Sequence, residues 1–339
     1  MMNKCIIDYV WIDGNMGLRS KSRVIKYNLS EFELYGLKIT DIPSWNYDGS
    51  STNQATGHYS EIILEPKRIF TCPFRENGLI VICDTYTPDG KPTNTNHRAN
   101  ALEVFNKYED EKPWYGLEQE YFIYDCETNY PLYFDSYCKQ GQYYCSVGSQ
   151  NAFGREISDQ HLEYCLKAGI NISGTNAEVA PGQWEYQIGP VEGIDIGDQL
   201  WASRYILEKI TENYNCYIVW DPKPLKGNIN GSGCHVNFST KSMREEGGLD
   251  FIYKAINNLE LHHAEHMELY GKGNKRRMTG KHETSSFDKF TWGEGNRSAS
   301  VRIGNDTIKN KKGYFEDRRP GSNIDPYLVC SKILDTCMI

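Results

Sequence analysis

Missing from this chain are a Cys-x-x-Cys pair, a Gly-x-x-x-x-Gly-Lys-Ser/Thr loop, an internal repeat and a low-complexity tract. The first absence argues against a zinc ribbon, and the second against a Walker-type phosphate cradle. No apolar run is long enough to span a bilayer. The segment from Met1 to Asn15 carries acidic residues inside its only apolar stretch and no small-residue cleavage site, so neither a secretory signal nor a transit peptide is visible. A net charge of -8 argues against a general binder of nucleic acid or anionic membranes. The 11 cysteines are an odd number, scattered from Cys5 to Cys337, which suits no disulfide framework. They are expected to be reduced thiols of a cytoplasmic protein.

What is present is a chain of 339 residues, comfortable for two domains. Runs rich in Ile, Val and Tyr at Cys5 to Asp13, Lys21 to Tyr27, Glu61 to Leu64 and Leu79 to Asp84 predict a small sheet. Asp41 to Thr56 reads as a turn-rich loop interrupting it. Tyr86 to Asn96, with Pro88, Asp89-Gly90 and Pro92, is the expected domain boundary. Beyond it a helix is predicted from Arg155 to Ala168 and closed by Gly169. A second is predicted from Asp198, as its cap, to Tyr214, and a last one opens on Asp325 and Pro326.

The stretch Gly116-Leu117-Glu118-Gln119-Glu120-Tyr121 has strand character, so Glu118 and Glu120 share a face. Two adjacent carboxylates raise one another's pKa unless a cation lies between them. Glu178 and Glu185 stand seven apart, an odd spacing that a Pro181-Gly182 turn could fold into a hairpin with both carboxylates inward. A small-residue turn then feeds a strand on which His235, Asn237 and Ser239 share a face, and Glu316 and Arg318 fall on one side of a later segment. Five glutamates and one histidine make an oxygen-rich donor set with a single nitrogen, which suits Mg²⁺ or Mn²⁺ better than zinc. Arg277, Arg297, Arg302 and Arg318 supply groups that pair with phosphate or carboxylate oxygens. Arg297 and Arg302 would face opposite ways on one strand, so if both meet one ligand Arg297 must lie in the preceding loop. Together these are the parts for phosphoryl transfer from a nucleotide to a carboxylate. His262, His263 and His266, with Glu260, Glu265 and Glu268 interleaved, are expected to form a solvated helix face.

With these residues in view, the chain from about Trp11 to about Cys337 resembles glutamine synthetase of the eukaryotic type. The matching blocks are Trp11 to Gly14, Trp45 to Thr52, Gly116 to Tyr121, Gly174 to Glu178, Trp184 to Pro190, Asp221 to Pro224, Gly233 to Thr240, Asn296 to Ile303 and Gly313 to Pro320. Nine blocks in order are highly specific. The resemblance implies an α+β fold, with a small β-grasp N-terminal domain at 1–88 and a larger catalytic domain at 89–339 on a curved, mostly antiparallel sheet. It also implies a homo-oligomer of two stacked rings, a decamer, in which the N-terminal domain of one subunit closes the site of the next. The chain begins almost directly at the first strand, without the leader that many such proteins carry.

Residue by residue, the resemblance implies that Glu120, Glu178 and Glu185 hold one metal and Glu118, His235 and Glu316 a second, with two or three Mg²⁺ or Mn²⁺ ions per site. Arg277, Arg297 and Arg318 would hold glutamate and the transferring phosphoryl group, with Asn230 and Gly231 near the amino acid end. Trp114, Asn237, Phe238, Ser239, Arg297, Arg302 and Tyr314 would contact ATP. Asp48, supplied by a neighbouring subunit, would bind ammonium and take its proton, and Glu283 would shield the intermediate from a flap. Lys281 places a positive charge two positions from that glutamate. The implied reaction joins ammonia to glutamate at the expense of ATP, through an acyl phosphate. Two alternatives stand beside it: a non-catalytic relative kept for assembly or sensing, and a γ-glutamyl ligase for another amine.

Overall fold

The computed structural model describes residues 2–28, 37–134 and 140–339. Strand β1 (Met2–Ile12) pairs antiparallel with β2 (Leu18–Asn28). Strands β3 (Trp45–Asp48), β4 (Glu61–Thr71) and β5 (Gly78–Tyr86) complete a sheet in the order β2-β1-β5-β4-β3, with β1 and β5 parallel. Period-two alternation sorts its side chains. Ile7, Tyr9, Trp11, Leu79 and Val81 build one core, while Val10, Ile12, Ile80 and Ile82 join a larger one on the opposite face. The central strands β1 and β5 are therefore buried on both faces.

Strand β3 lies inside the stretch read as a loop. Its Trp-Asn-Tyr-Asp alternates in burial, and Trp45 meets Tyr9 at 5.4 Å while Tyr47 meets Trp11 at 4.5 Å between ring centroids. Aromatic packing at alternate positions outweighed the turn residues around it.

Helix α1 (His97–Lys107) follows the Pro-rich 86–96 segment. Next come β6 (Trp114–Asp125), α2 (Arg155–Ala168), β7 (Ile172–Ala177), β8 (Gln183–Glu192), α3 (Asp195–Thr211), β9 (Cys216–Val219) and β10 (Cys234–Ser239). The remainder is α4 (Lys241–Arg244), α5 (Gly248–Leu261), α6 (His263–Leu269), β11 (Trp292–Glu294), β12 (Val301–Ile303), α7 (Asn305–Asn310), β13 (Phe315–Asp317) and α8 (Pro326–Cys337). A second sheet runs β11-β12-β13-β10-β6-β8-β7, with β9 added to the far end of β6. All its pairings are antiparallel except β11 with β12. The fold is α+β, as expected.

Helix α2 has the expected bounds, and Gly169 closes it at φ +82°, a left-handed conformation that glycine adopts without strain. Asp325 caps α8 by accepting from Tyr327 N at 2.8 Å. Asp198 is a correction. Helix α3 starts at Asp195, and Asp198 sits in its first turn, buried, accepting a two-pronged pair from Arg98 at 2.8 and 2.9 Å and a bond from Tyr327 Oη at 2.6 Å. A cap preference gave way to a buried ion pair. The solvated histidine face is a second correction. His266 is fully buried between Tyr270 Oη at 2.7 Å and Thr336 Oγ1 at 2.9 Å. His263 donates from Nε2 to Phe287 O at 2.9 Å and accepts at Nδ1 from Arg319 Nη1 at 3.0 Å, so of the three histidines only His262, paired with Glu265, joins the exposed glutamates.

Ten cysteines are free thiols, and Cys138 lies outside the described residues. Among the described residues no helix is long and apolar enough to cross a membrane.

Candidate active site

Strand β6 is the floor of the site. Its odd members Tyr115, Leu117, Gln119 and Tyr121 are buried behind the sheet, so Glu118 and Glu120 face forward as their spacing predicts. On one side β10 lies in register, with His235 opposite Glu118 and Asn237 opposite Gly116. On the other, β8 sets Glu185 opposite Glu120. The expected hairpin of β7 and β8 is present. Asn176 pairs with Glu185, and the Pro181-Gly182 turn brings Glu178 back beside it.

These elements line a cavity of about 610 Å³ whose walls include Glu118, Glu120, Glu178, Glu185 and His235, together with Arg277, Arg297, Arg302 and Arg318. Asn230, Gly231 and Glu283 also line it, as do Tyr144, Gln187 and His282, which sequence reasoning had not singled out. Arg297 comes from the loop before β12 and Arg302 from β12 itself, as their spacing required. Next to the cavity is a groove of about 460 Å³ lined by Trp114, Asn237, Ser239 and Tyr314. Glu118 and Gln187 border both spaces.

Three donors converge most closely. One ligand atom each from Glu118, His235 and Glu316 lies within 4.8 Å of the others. His235 Nδ1 stands 3.5 Å from Glu118 Oε2 and 3.4 Å from Glu316 Oε1. That nitrogen is buried and makes no hydrogen bond. A buried polar atom without a partner, aimed at two carboxylates, fits a divalent cation in the gap. Glu316 also accepts from Arg318 Nη1 at 2.6 Å, while its Oε2 lies 2.9 Å from Arg302 Nε without an aligned hydrogen bond.

The second set, Glu120, Glu178 and Glu185, shows the strain of crowded carboxylates. Burial, and then the charge of Glu120, push Glu178 up to about 8 and Glu185 up to about 9. Burial raises Glu120 as well, against the pull of Arg277. Arg277 is itself pushed down to about 10 by burial, and lies 3.2 Å from His235 Nε2. Its guanidinium fits only because Gly233 has no side chain: a Cβ there would come within 2.5 Å of Arg277 Nη2. A cluster this acidic and this buried has the donor chemistry to hold hard divalent ions.

Four placements refine the sequence reading. Phe238, expected to contact nucleotide, turns its side chain into the core between Tyr115 at 5.2 Å and Phe315 at 5.6 Å, so only its backbone borders the groove. Arg302, also expected at the nucleotide, lines the carboxylate cavity. Asp48 is exposed at the end of edge strand β3, holding Ser50 N at 3.0 Å and Ser50 Oγ at 2.7 Å, and lines neither space of its own subunit. Lys281 is exposed and does not line the cavity.

Arg244 was missed. Its guanidinium covers the Trp114 ring at 4.0 Å and borders the groove, but it lies beyond the end of the strand and no local pattern announces it. Gln187 could have been found, since it follows Glu185 by two on the same strand face, and it donates to Asn176 Oδ1 at 2.8 Å and to Glu185 Oε1.

Known proteins resemble this chain along nearly its whole length. The glutamine synthetase catalytic-domain family matches residues 95–255. A protein of Acanthamoeba polyphaga mimivirus, provisionally named a glutamine synthetase, is 63% identical over 98% of this chain and 93% of its own length. The glutamine synthetase nodule isozyme of Medicago sativa is 53% identical over 99% of this chain and 94% of its own. The chloroplastic glutamine synthetase of Brassica napus is 52% identical over 99% of this chain and 79% of its own. With relatives this similar along nearly its whole length, and with a carboxylate and arginine cavity on its central sheet, this chain belongs to the glutamine synthetase family, the glutamate–ammonia ligases.

Proposed function

We propose that this protein joins ammonia to the side-chain carboxylate of L-glutamate, with ATP as the energy source, releasing glutamine, ADP and phosphate through γ-glutamyl phosphate. The observation that carries this reading is the meeting, in one cavity, of Glu118, His235 and the Glu120, Glu178 and Glu185 set with four arginines, beside a second groove and with Glu316 buried beside His235. Glu118, His235 and Glu316 would hold one Mg²⁺ or Mn²⁺, and Glu120, Glu178 and Glu185 would hold a second. When bound, these ions neutralise phosphate oxygens that would otherwise be repelled by the glutamates.

ATP lies with its base against Trp114, Tyr314 and the Arg244 guanidinium, and Asn237 and Ser239 turn its phosphates toward the cavity. Arg277, Arg297 and Arg318 hold glutamate so that a γ-carboxylate oxygen attacks the terminal phosphorus in line with the departing ADP oxygen. Asn230 and Gly231 border the amino acid end, and Arg302 supports Glu316. Ammonia then attacks the activated carbonyl carbon, its extra proton passes to a carboxylate, and phosphate leaves. Water would destroy the acyl phosphate, which gives the loop bearing Glu283 a reason to cover the cavity mouth.

Asp48 does not line its own subunit's cavity, which supports a site completed by a neighbouring subunit's Asp48. We also propose an oligomer of stacked rings, a decamer, with residues 1–88 of one subunit against residues 89–339 of the next, in a cytoplasmic setting. The test is release of glutamine and phosphate from glutamate, ATP and ammonium with Mg²⁺ or Mn²⁺, on protein of measured oligomeric size, beside a Glu185→Ala control. Metal-dependent glutamine that vanishes in the control is the expected result. Phosphate release with another amine but not with ammonium would instead favour a γ-glutamyl ligase of different specificity, and nucleotide binding without turnover a non-catalytic relative.

A further inference from the structure

Gln119 points the opposite way from its neighbours. It stands between Glu118 and Glu120 on β6 and is fully buried behind the sheet. Its Oε1 accepts from Arg204 twice, from Nε at 3.1 Å and Nη2 at 2.6 Å. Its Nε2 donates to Ser322 O at 3.0 Å and to Glu120 O at 2.8 Å.

Arg204, on α3, is 2% exposed. It also donates to Ile324 O at 2.8 Å and Ser322 O at 2.9 Å, and its guanidinium lies between the rings of Trp201 at 4.8 Å and Trp220 at 5.2 Å. Each of these acceptors is a neutral carbonyl. A buried guanidinium with such partners is a costly way to gain stability, since apolar residues of the same volume would serve as well. What it supplies is geometry: a planar fork can fix several carbonyls at once, where an ammonium fixes a point.

The segments it fixes are the ones that matter to the metal triad. Glu118 is on β6, next to Gln119. Ser322 follows closely on β13, which carries Glu316, and its N donates to Ser232 O at 3.1 Å. Cys234 N donates to Pro320 O at 3.0 Å, so the strand entering His235 is tied to the same stretch.

We propose that Arg204, acting through Gln119 and Ser322, is a positioning residue for the metal centre, holding three strands in the register at which Glu118, His235 and Glu316 converge. This rests on the reading that those three side chains hold a divalent cation. Residues one layer behind metal ligands typically alter metal affinity by about ten- to a hundredfold.

The test is Mn²⁺ binding to the assembled protein, followed by electron paramagnetic resonance of free and bound ion, for the wild type, Arg204→Lys and Gln119→Glu. Lysine keeps the charge and loses the fork. Glutamate keeps the acceptor for Arg204 and makes it an anion, while the donor to Ser322 and Glu120 is replaced by a carboxylate oxygen facing two carbonyls. Both variants are expected to keep their oligomeric size, bind Mn²⁺ about ten- to a hundredfold more weakly, and broaden the spectrum of the bound ion. Wild-type affinity and spectrum in either correctly assembled variant would overturn the proposal. If Arg204→Lys fails to assemble, Gln119→Glu alone decides it. A wild-type protein that binds no Mn²⁺ would overturn the metal reading first, and this inference with it.

Discussion

Arg318 donates from Nη1 to Glu316 Oε1 at 2.6 Å, two residues back along the same strand direction. The bond joins two parts of the candidate site, because Glu316 belongs to the three donors that could hold a metal and Arg318 to the arginines that line the carboxylate cavity. Both are nearly buried, at 2% and 8% exposure, so the pair is little weakened by water. Replacing Glu316 by glutamine keeps the shape, removes the charge and leaves two arginines without their anion. The expected outcome is a rise of about ten- to a hundredfold in the metal concentration needed for half-maximal activity. Arg302→Ala, at a more exposed position, should shift the same titration less than Arg318→Ala. Equal metal titrations for Glu316→Gln and wild type would contradict the assignment.

Phe238 separates the sequence reading from the structural one. Its ring packs in the core, so Phe238→Leu should cost about 1 kcal/mol of stability and leave KM for ATP within about twofold. Trp114→Ala, which removes a groove wall, should raise KM for ATP about tenfold with little change in KM for glutamate. Thermal melts beside substrate titrations of both variants would check the pair. A Phe238→Leu protein of wild-type stability with a raised KM for ATP would reverse the placement.

Two buried histidines contribute to the loss of stability in acid. Burial pushes His161 down to about 4 and His266 down to about 3, so the folded chain keeps both neutral while the unfolded chain protonates them below about 6.5. The unfolded state then binds more protons, and stability falls as pH drops from about 6.5 toward 4. Glu178 and Glu185 act in the opposite sense in the metal-free protein. Their folded carboxyls are raised, so stability falls as pH rises from about 4.5 toward 8 or 9. Urea unfolding with saturating Mg²⁺ should therefore show the acid slope clearly, and His161→Gln should flatten it. An unchanged slope in that variant would show that His161 does not supply it.

Much of the site was legible because the chemistry follows simple periods. Alternation on β6 and β10 places Glu118, Glu120, His235 and Asn237 on one face, and the proline and glycine at 181 and 182 announce the hairpin that returns Glu178 to Glu185. The spacing of Arg297 and Arg302 likewise required one in a loop and one on a strand. What escaped was set by partners distant in sequence. Asp198 has the chemistry of a cap, but Arg98 and Tyr327, 100 and 129 residues away, recruit it as a buried anion. His266 is drawn inward by Thr336, 70 residues on. The orientation of Phe238 follows from the same alternation that exposes Asn237, and the resemblance, which matches blocks of residues rather than faces, obscured it.

The central claim is that glutamate is phosphorylated before ammonia attacks, and transfer of oxygen reports it directly. With ATP, ammonium and glutamate carrying ¹⁸O in both γ-carboxylate oxygens, the attacking oxygen stays bonded to phosphorus when ammonia displaces phosphate. Mass spectrometry should find one ¹⁸O in each phosphate and one retained in each glutamine. Glutamine formed with phosphate free of ¹⁸O would mean that the carboxylate never attacked ATP, and would contradict the account.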